Sequence, residues 1–218
     1  MPFSNQSIDS RLLAAQVATT NSLNDAEIQG YLTPFGYDTV RLEEGKALYE
    51  TALALHQKQK VEYGEQFAAT DARDAAQNNA DAEYMRFVKI ARVALKNDRA
   101  AAQKLGIDGR RKQTFSGWLS QVKQFYANAL PDADILSKLA GYGVTPEKLQ
   151  AGQQLTDEAE AANAAREKEK GEAQQATKDR DEAVDIMDEW MSDFKKIARI
   201  ALADKPQLLE KLGILERS

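Results

Sequence analysis

Two arginines, Arg92 and Arg199, are the side chains that the sequence places best for binding a ligand. They occupy the same position in two nearly identical heptapeptides, residues 89–95 and 196–202, which lie 107 residues apart. A guanidinium group can hold a carboxylate or phosphate through two parallel hydrogen bonds. If an internal symmetry brings the two arginines together, they would converge on an anion. The alternative is that each arginine pairs with a carboxylate, or lies along a neighbouring helix through its methylene groups.

The sequence contains no other pattern that is typical of catalysis or of metal binding. His56 is the single histidine and its counterpart is Asn163, so the paired Glu-x-x-His motifs of dimetal helical bundles cannot form. Without cysteine there is no thiolate nucleophile, disulfide framework or cysteine-based zinc site. No glycine-rich phosphate loop or dinucleotide fingerprint occurs. We therefore expect no catalytic, metal-binding or cofactor-binding residue. A hydrolase or transferase that uses some of the abundant carboxylates is an alternative that the sequence leaves open.

The elements that position these arginines are duplicated. At the constant offset of 107 residues, Lys104-Leu105-Gly106-Ile107 matches Lys211-Leu212-Gly213-Ile214. Charged residues recur at the same offset, among them Asp74/Asp181, Asp81/Asp188, Arg73/Arg180 and Lys89/Lys196. Such self-similarity is the signature of a repeat architecture. The sequence predicts two helical repeats, residues 1–107 and 108–218, that fold together as one body.

The amino-acid composition indicates the class of fold and the kinds of partner to expect. The 218 residues include 43% hydrophobic and 29% charged residues, with only five prolines and twelve glycines. Long segments of Ala, Glu, Lys, Gln and Arg with few breakers predict an all-α protein with long helices and coiled-coil-like packing. The net charge of −5 argues against nucleic-acid binding, which needs a basic face. No apolar run is long enough for membrane insertion, and residues 1–6 show no secretory leader, so we expect a cytoplasmic protein.

Two segments of about 57 residues, 39–95 and 146–202, form the centre of the predicted fold. One interpretation is a single helix in each segment, about 85 Å long at 1.5 Å per residue. We favour the other interpretation, a helical hairpin that breaks after Gly64 or Gly171 and restarts at Thr70 or Thr177, because these residue types suit helix ends and helix starts. The hairpins would form an antiparallel bundle of four long helices with short capping helices.

Shorter helices are predicted from their caps. Ser7 and Thr114 suit the start of the first helix in each repeat, and Asp38 and Thr145 suit the start of the long segments. Asp204 is expected to cap the last helix. Both repeats close with Leu-Gly-Ile, in which Gly106 and Gly213 are expected to adopt the left-handed conformation and the isoleucines to make the accompanying apolar contact.

The two predicted hairpin tips differ in composition. Residues 156–182 contain no large apolar side chain, so we expect a solvated and mobile helix there, with close helix packing through Ala159, Ala162, Ala173 and Ala176. The equivalent residues 49–75 are expected to pack more firmly through Leu53, Leu55, Val61, Tyr63 and Phe67.

On function, this combination favours a non-enzymatic structural or protein-interaction helical bundle that binds a protein partner or self-associates. The alternative is a small-molecule or anion-binding protein with a pocket at the repeat junction, lined by Arg92 and Arg199.

Overall fold

The computed structural model describes residues 6–214, and all regular structure within that range is helical. This confirms the all-α class. The prediction that residues 1–6 form no secretory leader falls outside the described residues, except for Gln6. The described helices are α1 (Ile8–Asn24), α2 (Ala26–Leu32), α3 (Thr39–Ala94), α4 (Arg99–Lys104), α5 (Phe115–Ala129), α6 (Ala133–Ala140), α7 (Pro146–Ala201) and α8 (Pro206–Lys211), with a short 3-10 helix at Thr33–Phe35.

The helix boundaries follow the sequence repeat. Helices α5–α8 begin 107 residues after α1–α4, and α3 and α7 are both 56 residues long. Ser7 and Thr114 cap α1 and α5 as predicted, each accepting a hydrogen bond from a first-turn N–H group. Gly106 and Gly213 have φ of 67° and 69°, the left-handed conformation expected after a helix end.

One predicted cap is wrong. The residue that precedes α8 is Lys205, whose side chain makes no capping hydrogen bond, so Asp204 does not cap this helix. The equivalent position before α4 is Asp98, which accepts from Ala101 N at 3.0 Å. The first repeat therefore has the cap that the second lacks. Pro206 at the start of α8 reduces the need for one, because proline has no N–H to satisfy.

The predicted hairpins are wrong, because each long segment is one uninterrupted helix. Gly64 and Gly171 lie inside α3 and α7 and do not adopt positive φ. A glycine within a helix costs only about 1 kcal/mol relative to alanine, and good helix formers continue on both sides. Thr70 and Thr177 do not start a helix; their hydroxyls donate to the carbonyls of Gln66 and Ala173, each at 2.9 Å. The described chain therefore has two long helices where the prediction had four.

The chain divides into two compact units, and each takes helices from both repeats. The terminal unit combines the described residues through Tyr63 with those from Glu172 onward, and the central unit spans Gly64–Gly171. The core of the terminal unit joins α1, α2 and the first part of α3 to the last part of α7 and α8. The core of the central unit joins the last part of α3 and α4 to α5, α6 and the first part of α7. The short N-terminal helices of each repeat therefore pack against the C-terminal elements of the other.

Burial along the long helices differs from the prediction for the first repeat. Leu53 and Leu55 are half-buried, and Leu53 packs against the core of the terminal unit. Val61, Tyr63 and Phe67 are exposed, so the expectation of firm packing is wrong for these three residues. In the second repeat, Ala159, Ala173 and Ala176 are buried, as the small-residue spacing suggested. No helix within residues 6–214 combines the length and the apolar character that crossing a bilayer requires.

Candidate functional site

Arg92 lies in the last turn of α3, where the chain turns into α4 in the central unit. Its Nε–H donates to the carbonyl oxygen of Ile107 at 3.0 Å. Ile107 is buried and follows the left-handed Gly106. The sequence signal that ends α4 therefore also provides the oxygen that holds Arg92. Because this bond uses Nε alone, the terminal nitrogens of the guanidinium group keep their donors for a ligand.

A cavity of about 380 Å³ opens at this corner. Its lining residues are Arg92, Leu95, Lys96, Arg99, Ala102, Ile107 and Asp108. Leu95 and Ile107 are buried and give the cavity an apolar floor, while the charged side chains are exposed at its rim. Within residues 6–214, Arg92, Lys96 and Arg99 form no ion pair with a carboxylate. Unpaired cations beside an apolar floor suit a ligand with an anionic group. Arg92 was predicted from the sequence as a ligand contact, whereas its cationic neighbours Lys96 and Arg99 were not.

Arg199 has different surroundings from its counterpart. It is exposed in the last turn of α7, in the terminal unit, whereas Arg92 belongs to the central unit. At the corner that follows Arg199, the positions of Lys96 and Arg99 are occupied by Ala203 and Pro206. The corner of the second repeat therefore lacks the cationic cluster. Convergence of the two arginines on one anion stays a prediction.

The recurring carboxylates Asp81 and Asp188 have a structural role. Asp188 forms an ion pair with Arg11 of α1, and both side chains are largely buried. At the equivalent place in the central unit, Asp81 accepts a hydrogen bond from Trp118 Nε1 of α5 at 2.8 Å. Arg11 and Trp118 are themselves equivalent positions of the two repeats. The same contact therefore ties the first helix of each repeat to the long helix of the other, with different donors.

His56 is a helix-packing residue in this structure. Its ring is buried, and its Nε2 lies 3.1 Å from Asp9 Oδ1. Lys60 lies 3.7 Å from the same carboxylate oxygen. Nδ1 is buried and finds no hydrogen-bond partner among the described residues. These contacts join α1 to α3 within the terminal unit.

A second cavity, of about 270 Å³, lies in the terminal unit and was not predicted from the sequence. Tyr37 and Trp190 line it, and their ring centroids are 5.7 Å apart in an edge-on arrangement. Phe194 stacks on Trp190 at 5.2 Å, and the guanidinium carbon of Arg41 lies 4.3 Å from the centroid of Tyr37. The aromatic rings therefore pack against one another, and the guanidinium group of Arg41 covers one face of the Tyr37 ring.

Burial raises the pKa of three core tyrosines. It raises the pKa of Tyr37 above its ordinary value, against the opposing effect of the nearby Arg41. Burial likewise raises the pKa of Tyr84 and Tyr126 in the central unit. The hydroxyls of Tyr37 and Tyr126 and the indole nitrogen of Trp190 are buried without a hydrogen-bond partner among the described residues. These neutral, enclosed groups favour packing rather than proton transfer.

The two cavities are suited to binding. The Arg92 cavity offers charge at its rim and an apolar floor, and the Tyr37 cavity offers aromatic edges. Neither cavity combines a nucleophile with a hydrogen-bonded base, which is the arrangement that covalent catalysis requires. No protein-family model, curated protein or solved structure matches the chain.

Proposed function

We propose that this chain is a structural or protein-interaction helical protein, which acts by binding a partner rather than by catalysis. The observation that carries the proposal is a pair of exposed apolar positions that recurs in both repeats. Phe35 and Tyr142, at equivalent positions shortly before the two long helices, are 46% and 55% exposed. Val93 and Ile200, at equivalent positions in the last turn of α3 and α7, are 53% and 60% exposed.

Recurrence is what makes these residues informative. Single exposed apolar side chains are common on soluble proteins and need no explanation. The other large apolar residues that are exposed have polar counterparts in the sequence, such as Val40 with Glu147 and Tyr31 with Lys138. Two copies that have diverged elsewhere therefore keep apolar character at the same two exposed positions. Each compact unit has one position of each kind, so each unit offers the same contact chemistry.

The proposal includes a cytoplasmic location and a protein partner, or a second copy of this chain, rather than nucleic acid. The overall charge of −5 supports the last point, because phosphate backbones select basic surfaces. Helix faces are common partners for other helices, and the exposed last turns of α3 and α7 are suited to such contacts.

Site-specific photo-crosslinking tests the proposal. A benzophenone amino acid would replace Phe35, Tyr142, Val93 or Ile200 in cells of the source organism, with Asn78, an exposed polar position of α3, as the matched control. We expect discrete adducts from the four apolar positions and none from Asn78. An adduct of twice the chain mass of 24.2 kDa would identify self-association. Four positions that crosslink no better than Asn78 would overturn the proposal.

An anion-binding function is the second candidate, because unpaired Arg92, Lys96 and Arg99 surround one cavity. In the form in which the sequence predicted it, an anion-binding function required a pocket shared by Arg92 and Arg199. The cationic cluster supports a more local version, in which the corner around Arg92 alone forms the site.

A further inference from the structure

We infer that the cavity at the α3–α4 corner binds a small organic anion that carries an apolar tail. The site is formed by one stretch of chain in the central unit, from Arg92 to Asp108. It requires neither Arg199 nor the exposed apolar positions of the proposed interaction surface. The inference therefore stands or fails independently of the protein-interaction role.

Local charge is the first argument. Residues 86–112 contain nine lysines and arginines and two aspartates, in a chain whose net charge is −5. Some of these cations are engaged: Lys104 pairs with Asp132 at 2.7 Å, and Arg111 pairs with Asp81. The three that line the cavity have no such partner among the described residues. The turn between α3 and α4 therefore carries positive charge that no carboxylate among the described residues neutralises.

The shape and lining of the cavity give the second argument. A volume of about 380 Å³ lies within the range of small-molecule sites, which combine mostly apolar walls with a few placed polar groups. Leu95 and Ile107 form a buried apolar floor, and the half-buried Ala102 leaves space beside them. Arg92 is held in place by its bond to Ile107 O, so its remaining donors are preorganised for a carboxylate.

The second repeat provides an internal comparison. Its sequence keeps the arginine and the apolar floor as Arg199, Leu202 and Ile214, but it replaces both other cations and has Leu209 in the place of Ala102. Leu209 is fully buried in the terminal unit. The helical corner therefore forms without Lys96, without Arg99 and with a larger side chain at position 102. The fold therefore does not require these features of the first repeat, which supports a role for them in ligand binding.

The rim also defines what the ligand is. Asp108 lies beside the three cations, so the lining carries a net charge of about +2, which favours an anionic head group. The apolar floor requires a tail that a bare inorganic anion lacks. A monocarboxylate with a short aliphatic chain satisfies both requirements. Octanoate is therefore the appropriate probe.

The experiment is a titration of the full-length chain with octanoate, followed by amide chemical shifts and by calorimetry. Octanol, which has the tail without the charge, and acetate, which has the charge without the tail, are the two ligand controls. We expect octanoate to bind at least about tenfold more tightly than either control, because it uses both the cations and the floor. Octanoate affinity equal to that of acetate or octanol would overturn the inference.

Variants copied from the second repeat locate the site. K96A combined with R99P, which reproduces Ala203 and Pro206, should weaken octanoate binding at least about tenfold. A102L, which reproduces Leu209, should fill the cavity and abolish binding of octanoate. R92Q, which removes the guanidinium group together with its bond to Ile107 O, provides a third test, and it should also weaken binding. Circular dichroism verifies that each variant folds. Folded variants that bind octanoate as the wild type does would refute the assignment.

Discussion

Four glycines inside the two long helices allow a sharp test of the structure, because alanine should stabilise the chain at one equivalent pair and destabilise it at the other. Nothing lies within 4 Å of a Cβ built on Gly64 or Gly171. A Cβ on Gly45 would lie 2.6 Å from Cε2 of Trp190, and a Cβ on Gly152 would lie 2.9 Å from Cζ of Tyr126. A methyl group therefore has free space at Gly64 and Gly171. At Gly45 and Gly152 the long helix lies directly against an aromatic ring, and a methyl group would collide with it.

The expected magnitudes follow from two effects of opposite sign. Alanine in place of a helical glycine stabilises by about 1 kcal/mol, and at Gly64 and Gly171 nothing opposes this gain. At Gly45 the ring of Trp190 would have to move, although Phe194 stacks on it and Tyr37 packs edge-on against it. Overpacking of this kind costs about 1–3 kcal/mol, so the net effect of G45A is a loss of up to about 2 kcal/mol.

Thermal and urea unfolding of the four single variants measure these differences. A change of 1 kcal/mol shifts the melting temperature of a chain of this size by about 2–4 °C. We expect G64A and G171A to raise the melting temperature, and G45A and G152A to lower it. If G64A lowered stability, the continuous helix would be wrong at that point, because a left-handed glycine after a helix end is the case in which alanine is strained. If G45A were stabilising, the close approach of Trp190 to α3 would be wrong.

Three further outcomes are expected. D188A should reduce the free energy of unfolding by about 3 kcal/mol in urea titrations, because the carboxylate pairs with Arg11 at 12% exposure. D185A, which removes a carboxylate that is 83% exposed and 3.7 Å from the same arginine, should cost less than about 1 kcal/mol, and equal effects would refute the argument. Stability should fall as pH rises above about 10, since burial raises the pKa of Tyr126 and unfolding lets it ionise. Y126F should lessen that loss in urea titrations between pH 8 and 11 and cause little destabilisation at neutral pH, because the hydroxyl has no partner. Residues 1–108 expressed alone should aggregate or self-associate in size-exclusion chromatography with light scattering, because each core needs helices of the other repeat; a cooperative monomer would contradict this.

The candidate site shows where prediction from sequence succeeded and where it ended. The repeated heptapeptide identified Arg92, because a motif that occurs twice stands out without any structure. The cooperation of Lys96 and Arg99 with Arg92 was not visible. It depends on how the chain turns between α3 and α4, and on the small Ala102 that leaves the space open. The Tyr37 cavity was not predicted either, because its lining brings Tyr37 and Arg41 together with Trp190, which is far away in the chain.

The sequence by itself determined the features that depend on neighbouring residues. Ser7 and Thr114 cap helices, Gly106 and Gly213 end them in the left-handed conformation, and the offset of 107 residues recurs in the helix boundaries. These features are local because a cap or a helix end needs only the hydrogen-bonding groups of one turn. The sequence therefore sufficed for the class of fold and for these helix ends, but not for the number of long helices.

The tertiary structure decided the features that depend on distant partners. Whether Gly64 broke the helix was a balance between a local cost of about 1 kcal/mol and the packing of α3 along its length, and the continuous helix resulted. That continuity carries α3 from the terminal unit into the central unit, so each repeat completes the core of the other. The same packing left Val61 and Phe67 exposed although their composition suggested burial. The physical reason is that the burial of a side chain depends on contacts with residues far apart in the chain, which a local sequence pattern does not include.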